Sequence, residues 1–226
     1  MVPELGARRR VGQPTHRRPY DAEALLDVAV RVFNERGYDG TSMDDVARAA
    51  GITKASIYYH VAGKEELLER GIRRALDALF SMLDESGASR GPAERRLRYV
   101  MLRTVEIMSD QLAEVALLLR VRGNTPIERW ALEQRRDFTR RITALVQAAM
   151  DDGSLRSDLE AGLVARLLFG TVNSIIEWYR REGRLGPDDI AAAVETMLFQ
   201  GLCANQQTAA ADARGTMPGP RAHRVL

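Results

Sequence analysis

The side chains best suited to binding chemistry lie in one short segment near position 56. Lys54, Ser56, Tyr58, Tyr59 and His60 carry hydrogen-bond donors and aromatic rings. On an exposed helix, such groups suit phosphate oxygens and base edges when the helix enters the major groove of DNA. The segment therefore predicts binding to double-stranded DNA.

Two short helices joined by a glycine turn are predicted to present this segment. Ala47 and Gly51 lie four positions apart. The small residue permits close helix packing, and glycine adopts the left-handed conformation at the turn. Apolar contacts between the two helices are assigned to Val46, Ala50, Ile52 and Ile57. A preceding helix between Asp21 and Gly37 braces the pair, so the pattern predicts a helix-turn-helix.

Hydroxyl and acid pairs mark the start of the first of these two helices. Thr41 with Asp44, and Ser42 with Asp45, each fit a capping box, in which a hydroxyl and an acid satisfy free amide groups. The second helix is predicted over residues 54–60, because only two helical turns fit before the next break. Both helices are therefore short and depend on their neighbours.

The same segment resembles a known family. Residues 41–60, TSMDDVARAAGITKASIYYH, with the KEEL that begins at Lys64, resemble the TetR-type repressors, and the resemblance covers residues 21–68. Val61 departs from the pattern, since the family usually has phenylalanine there. The resemblance implies that the residues nearest bases are Thr53, Lys54, Ala55 and Ser56. It implies that those nearest phosphates are Thr41, Ser42, Tyr58, Tyr59, His60 and Lys64.

Structural roles remain open for three of these residues. Tyr58 can be a core tyrosine, since its position alone does not separate packing from phosphate contact. His60 can simply cap the end of its helix, and Lys64 can be a solvated residue of a first helical turn. The joint pattern, and no single residue, carries the prediction of DNA binding.

Hydrophobic periodicity along the rest of the chain predicts an all-α protein of about nine helices. Residues 1–19 are predicted to be a flexible basic arm, and residues 20–66 the helix-turn-helix domain. Residues 67–204 are assigned to a ligand-binding and dimerisation domain, and 205–226 to a disordered tail. The eighth helix is predicted over residues 158–181, the ninth over 187–204, and residues 86–92 as a turn.

The predicted eighth helix is apolar around most of its circumference, which requires burial on two sides. One side can face its own core and the other a second copy, as in the dimers of the resembled family. The alternative is complete burial within one protomer. The residues predicted to form the dimer interface are Leu168, Val172, Ile175, Tyr179, Val194, Met197, Leu198 and Gly201.

Methionine and aromatic side chains on the inner helix faces are candidates to line a ligand cavity. The alternative is that they form plain core. The predicted cavity residues are Met101, Val105, Met108, Leu117, Trp130, Phe138, Phe169 and Asn173. By resemblance, a ligand there shifts the dimer towards a state that releases DNA.

Residues 170–180, GTVNSIIEWYR, with Gly183 after them, resemble a branch that regulates fatty-acid, aromatic-acid or steroid breakdown. Its members bind acyl-CoA thioesters, which makes such a thioester one candidate effector. Arg181 stands where that branch often has proline. Arg120 or Arg122 could meet CoA phosphates, and both are alternatively surface charges.

Composition excludes several other classes. Cys203 is the only cysteine, so neither an intrachain disulfide nor a cluster of thiolates around a metal is possible. No apolar run is long enough to span a membrane, which favours a cytoplasmic protein. The arginine-rich arm contacts DNA or is a solvated tail. No cofactor or metal site is predicted.

An enzyme has little support in the sequence. The chain has neither a glycine-rich phosphate loop nor a nucleophile elbow, and its three histidines are scattered. The remaining alternative is a DNA-binding regulator with a filled core that a partner protein controls. We therefore predict a homodimeric, ligand-responsive regulator, with repression as the resembled family's usual mode.

Overall fold

A computed structural model describes residues 21–202 of the chain. Every regular element in this range is a helix. The predicted arm at 1–19, Cys203 and the predicted tail at 205–226 lie outside the described residues. The helices are α1 (Ala22–Arg36), α2 (Met43–Ala50), α3 (Lys54–Ile57), α4 (Lys64–Asp84), α5 (Ser86–Ser89), α6 (Ala93–Asp110), α7 (Leu112–Arg120), α8 (Pro126–Asp151), α9 (Ala161–Asn173), α10 (Ile175–Trp178) and α11 (Pro187–Leu202). The all-α prediction is confirmed.

The chain divides into two compact units within α4, between Leu67 and Leu68. In the first unit α1 packs against α2, and α2 packs against α3. The apolar side of α1 is fully buried, as at Leu25 and Ala29. Gly51 ends α2 in the left-handed conformation, with φ of 66°. The glycine turn predicted between α2 and α3 is therefore confirmed.

α3 is shorter than predicted. It was expected over residues 54–60, but the helix ends at Ile57 and a turn continues to His60. The amide of His60 donates to the carbonyl of Ile57 at 2.9 Å. This bond spans three residues, as in a 3₁₀ turn, instead of the four that an α-helix spans. Ile57 and Val61 are both buried, so the turn brings two apolar side chains to the core within one short stretch.

The second unit contains the rest of α4 and the helices α5 to α11. α8 packs against α6 and α9, and α11 packs against α6 and α9. A capping box between Thr125 and Glu128, with Pro126 in the first turn, starts α8. Arg74 on α4 forms an ion pair of 2.8 Å with Glu114 on α7. The core of this unit therefore lies among α6, α8, α9 and α11.

Two helices differ in extent from the prediction. Residues 86–92 were expected to form a turn, but Ser86–Ser89 form α5. The predicted eighth helix is divided at Ser174 into α9 and α10, and it ends at Trp178. Ser174 donates its hydroxyl to the carbonyl of Thr171 at 2.7 Å, which is the local competition with the helix ladder that serine introduces.

Arg181 follows this broken helix and is held to α6. Its Nε donates to the carbonyl of Ser109 at 3.0 Å, and its Nη2 donates to the carbonyl of Asp110. The carbonyls at the end of a helix lack partners within that helix. Arg181 therefore caps the C-terminal end of α6, a role that proline at this position could not perform.

Gly87 permits α5 to lie against α6. A Cβ atom at this position would lie 2.4 Å from Cδ2 of Tyr99 and equally close to other ring atoms. We predict that Gly87→Ala lowers the free energy of unfolding by about 1–3 kcal/mol, as overpacking does. Gly186→Ala is the matched control, because its Cβ meets only Asp189 Oδ2, at 3.7 Å. Urea unfolding measures both, and an unchanged midpoint for Gly87→Ala contradicts the close contact.

Candidate nucleic-acid interface and ligand cavity

The polar face of α3 is open to solvent in the first unit. Lys54 and Ala55 are exposed, Tyr59 is 89% exposed and Tyr58 is 50% exposed, whereas Ile57 is fully buried. The alternative that Tyr58 is a core residue is therefore wrong. This one-sided burial leaves the donors and rings predicted to meet DNA on the outer side of the helix.

Hydrogen bonds fix the N-terminal end of α3. Thr53 Oγ1 accepts from the amide of Ser56 at 3.1 Å, and the two hydroxyl oxygens lie 2.7 Å apart. Lys54 Nζ donates to Asp44 Oδ2 at 2.8 Å, and this bond with the charge of Asp44 raises the pKa of Lys54. An exposed ion pair of this kind contributes little to stability, so Lys54 can exchange it for another anion.

The predicted phosphate contact of Thr41 is wrong, and Lys64 makes contacts within the chain that the prediction did not include. Thr41 is only 3% exposed, and its hydroxyl donates to the carbonyl of Gly37 at 2.7 Å. Lys64 Nζ donates to the carbonyls of Tyr38 and Thr41, each at 2.9 Å, and lies 4.2 Å from the ring centroid of Tyr38. Both side chains hold the loop between α1 and α2, which the sequence pattern alone could not reveal.

Ser42 is exposed, as a phosphate contact requires, but it also fixes the start of α2. Its hydroxyl donates to Asp45 Oδ2 at 2.6 Å and accepts from the amide of Asp45 at 3.2 Å. Asp45 Oδ1 accepts from Arg36 and Arg48, each at 3.0 Å. The capping box predicted for Ser42 and Asp45 is confirmed.

Bonds from Ser42 lower the pKa of Asp45 from 3.8 to about 2, with smaller effects from Arg36 and Arg48. The largest cause is the side-chain hydrogen bond of Ser42. Because the pKa is lowered on folding, the carboxylate stabilises the fold above pH 4. That contribution is lost as the pH falls from about 4 to about 2.

The second unit contains a cavity of about 80 Å³ among α4, α6, α7, α8 and α9. Four of the predicted ligand residues line it, namely Met108, Phe138, Phe169 and Asn173. The rings of Phe138 and Phe169 meet edge to face, with centroids 5.4 Å apart. The lining also includes Leu76, Leu79, Thr104, Val115, Leu118, Leu119, Arg135 and Thr139.

The other four predicted ligand residues do not line this cavity. Met101, Val105 and Leu117 are buried. Trp130 is half-buried, and the guanidinium of Arg73 lies 4.5 Å from its ring centroid. Helical spacing identified the inward faces of these helices. It could not identify which residues along each inward face lie next to the cavity.

An open groove of about 450 Å³ lies beside the cavity and is lined by Leu132, Arg135, Arg136, Thr139, Arg140 and Arg166. Arg135 and Thr139 line both volumes. Arg120 and Arg122, the arginines proposed from sequence for CoA phosphates, are exposed and line neither. Sequence reasoning missed the groove because arginines occur throughout the chain, so those that line the groove cannot be distinguished by residue type.

Five of the predicted dimer residues point into their own protomer. Val194 is buried within the chain, as are Leu168, Val172, Ile175 and Tyr179. Such side chains cannot also contact a second copy, so these assignments are wrong. Met197 and Gly201 are exposed, and Leu198 is partly exposed, which agrees with the prediction for this part of α11.

The outward face of α9 and α10 carries other residues. We call it the exposed stripe, and it consists of Leu163, Leu167, Gly170, Ser174 and Trp178. A Cβ at Gly170 on α9, or at Gly201 on α11, would meet no atom within 4 Å. Glycine inside a helix destabilises it by about 1 kcal/mol relative to alanine. Packing within the protomer does not explain either glycine.

Two family profiles match the chain. Residues 25–70 match "Bacterial regulatory proteins, tetR family". Residues 90–202 match "Tetracyclin repressor-like, C-terminal domain". The chain belongs to the TetR family. It is therefore a transcriptional regulator with a helix-turn-helix DNA-binding domain, and it belongs to a family of regulators, not of enzymes.

Relatives extend this TetR-family assignment over most of the chain. The transcriptional repressor KstR2 of Rhodococcus jostii (strain RHA1) is 31% identical over 181 residues, which are 79% of this chain and 89% of that repressor. A TetR-family regulator from Streptomyces coelicolor A3 is 54% identical in its crystal structure. That structure has a TM-score of 0.75 and covers 80% of this chain and 91% of its own.

Two further solved structures are similar to the chain. The ketosteroid transcriptional regulator KstR2 of Mycobacterium tuberculosis is 25% identical with a TM-score of 0.75, over 87% of this chain and all of its own. AibR, solved in complex with isovaleryl coenzyme A and operator DNA, is 25% identical with a TM-score of 0.69. It covers 79% of this chain and 97% of its own.

Among residues 21–202, no helix has the length and hydropathy to cross a membrane.

The geometry at the start of α2 gives a direct pH test. We predict that an NMR titration finds the carboxyl pKa of Asp45 near 2. Ser42→Ala should raise this pKa more than Arg48→Ala does, because the hydroxyl of Ser42 is its largest determinant. Arg48→Ala is thus the matched control, and an equal or larger effect of that control contradicts the assignment.

Proposed function

We propose that the chain is a homodimeric repressor that binds an inverted-repeat operator and is released by a small amphiphilic effector. The observation that carries this proposal is the exposed polar face of α3, held over a buried Ile57 in a TetR-family chain. Two copies related by a two-fold axis present two such helices to one face of the duplex. The half-sites of the operator are then inverted repeats.

The DNA contacts divide into two groups. Thr53, Lys54, Ala55 and Ser56 lie at the start of α3 and are proposed to face bases. Ser42, Tyr58, Tyr59, His60 and Lys64 are proposed to contact phosphates. Phosphate contacts fix position and base contacts set sequence preference. Thr41 is removed from the phosphate group, because its buried hydroxyl bonds to the carbonyl of Gly37. Lys64 stays in the group, because its ammonium has a third donor besides the two that hold the loop between α1 and α2.

The exposed stripe on α9 and α10, with Met197, Leu198 and Gly201 on α11, is proposed as the dimer interface. Leu167 and Met197 are each about 60% exposed, which is unusual for large apolar side chains on two neighbouring helices. Gly170 and Gly201 permit a second copy to approach the helix backbones closely. A partner would therefore explain both the apolar exposure and the glycines.

The effector is proposed to be an acyl-CoA thioester. The apolar cavity next to Phe138 and Phe169 would hold the acyl group, while Arg136, Arg140 and Arg166 in the groove would meet the phosphates. AibR, with isovaleryl coenzyme A, supports this class of ligand. The cavity is smaller than the roughly 300–1,000 Å³ of a typical ligand pocket. Binding must therefore displace side chains, which couples it to a population shift.

The small cavity also favours a second candidate function. With about 80 Å³ of empty volume, the second unit is close to a filled core. A DNA-binding regulator controlled by a partner protein needs no larger cavity. Calorimetry with short-chain acyl-CoA thioesters separates the two functions, since only the first predicts saturable binding coupled to release of DNA.

Surface residues in α3 and in the turn after it give a test that leaves the fold intact. We predict that Tyr59→Ala weakens binding to operator and unrelated duplexes by a similar factor, because it removes a phosphate contact. Ser56→Ala should instead change preference among operator variants by about 1–3 kcal/mol at one base pair. Fluorescence anisotropy at two salt concentrations measures both effects.

Tyr59→Phe is the matched control, because it keeps the ring and removes only the hydroxyl. It should retain the ring's contribution and lose the hydrogen bond. Wild-type affinity for every duplex in Tyr59→Ala would remove this residue from the interface, and an unchanged base preference in Ser56→Ala would do the same for base contact.

The proposed interface is tested by placing a charge on the exposed stripe. Leu167→Lys should convert the dimer to a monomer at micromolar concentration and weaken operator binding, because the ammonium is desolvated against an apolar partner. Leu185→Lys is the control, since Leu185 is 50% exposed but lies outside α9, α10 and α11. Sedimentation analysis measures the assembly, and a stable Leu167→Lys dimer contradicts the proposed interface.

A further inference from the structure

Arg135 differs from the ion-paired arginines on the surface of the second unit. It is half-buried at the boundary between the apolar cavity and the arginine-lined groove. Burial lowers the pKa of its guanidinium, yet arginine stays protonated in proteins at neutral pH. Arg135 therefore carries a positive charge into a region that has lost much of its water.

No carboxylate neutralises this charge within the described residues. The ion pairs of the groove belong to its neighbours, since Arg140 pairs with Asp137 at 2.8 Å and Arg166 pairs with Glu160 at 3.4 Å. Arg135 Nη1 instead donates to the carbonyls of Leu118 and Leu119, both at 3.5 Å. These bonds are at the outer limit of hydrogen-bond length and leave most of the guanidinium donors unused.

The other polar groups of the cavity do not supply the missing anion. Thr104 donates its hydroxyl to the carbonyl of Val100 at 2.7 Å, and Thr139 donates to the carbonyl of Arg135 at 2.9 Å. Asn173 adds an uncharged amide. No acidic residue lines either the cavity or the groove. A desolvated cation with weak carbonyl partners favours an incoming anion.

We propose that Arg135 senses the charge of the effector by binding a carboxylate or phosphate group whose apolar part enters the cavity beside Met108 and Phe138. This inference rests on the proposed function and adds the residue at the mouth of the cavity that selects an anionic effector over a neutral one. A guanidinium fork binds such a group through two parallel hydrogen bonds. An uncharged apolar molecule of the same length lacks this contact.

The same residue provides a link to α7. Leu118 and Leu119 lie in the last turn of α7, where carbonyls lack partners within the helix. When Arg135 turns to a ligand anion, it leaves these carbonyls. Ligand binding thus exchanges two long hydrogen bonds to the end of α7 for a shorter contact with the ligand. A ligand that changes the bonds at the end of α7 can bind two conformations of that helix with different affinity, as a population shift requires.

The test compares three probes with one six-carbon chain, namely hexanoyl-CoA, hexanoate and 1-hexanol, by calorimetry on the full chain. Wild type should bind at least one anionic probe about tenfold or more tighter than 1-hexanol, since a charge-assisted bidentate pair is strong. Arg135→Met should lose this preference, whereas Arg135→Lys should retain part of it. Arg129→Met is the matched control, because Arg129 is an exposed arginine of the same helix that donates to a backbone carbonyl, that of Gly123, and lines neither the cavity nor the groove, and it should keep the preference for an anion.

The three probes also distinguish the source of the anion. Preference for hexanoate assigns the anion to a carboxylate, and preference for hexanoyl-CoA over both other probes assigns it to the CoA phosphates. Binding of 1-hexanol as tightly as the anions overturns the role of Arg135 and leaves a ligand-responsive repressor in place. If wild type binds none of the probes, the proposed effector class and the role of Arg135 are both overturned.

Thermal unfolding without probe excludes a purely structural role. Removal of a desolvated charge that lacks a carboxylate should leave the Tm of Arg135→Met equal to or above that of wild type. A lower Tm together with an unchanged preference for anions would mean that Arg135 only braces the end of α7, and this result overturns the proposal.

Discussion

A helix of four residues cannot form by itself, because nucleation of a helix is unfavourable and so short a helix gains almost no hydrogen bonds. The face proposed to bind DNA therefore depends on its surroundings. Ile57 is buried beneath α3, Thr53 caps the first turn, and Gly51 turns the chain from α2 into α3. Loss of any one of these would destabilise the conformation that presents Lys54 and Tyr59 to solvent.

Packing also stabilises the long helices of the second unit. That packing leaves two groups of this unit in an unfavourable environment. The exposed stripe leaves large apolar side chains such as Leu167 in water, and the cavity leaves the charge of Arg135 without a carboxylate. Each is unfavourable in an isolated protomer. The proposed second copy would relieve the first, and the proposed anion would relieve the second.

Sequence reasoning succeeded where structure is decided by neighbouring residues. Gly51 and the Ser42–Asp45 capping box follow from local backbone chemistry, and both are observed. Sequence reasoning failed where a residue's contacts depend on segments that are distant in sequence. Lys64 donates to Tyr38 across 26 positions, and Leu168 was assigned to the wrong side of a helix that is apolar on both. Arg135 gave no signal, because only tertiary packing distinguishes it from the other arginines.

Binding of a dimer to an inverted-repeat operator requires two copies of α3 to reach one face of a single duplex. Hydroxyl-radical footprinting of the DNA upstream of the protein's own gene tests this directly, because it records both the number and the spacing of protected sites. We expect two symmetric protected patches on the same face of the double helix, separated by about one helical turn or a multiple of it. A single patch, or no protection at low ionic strength, would contradict the account.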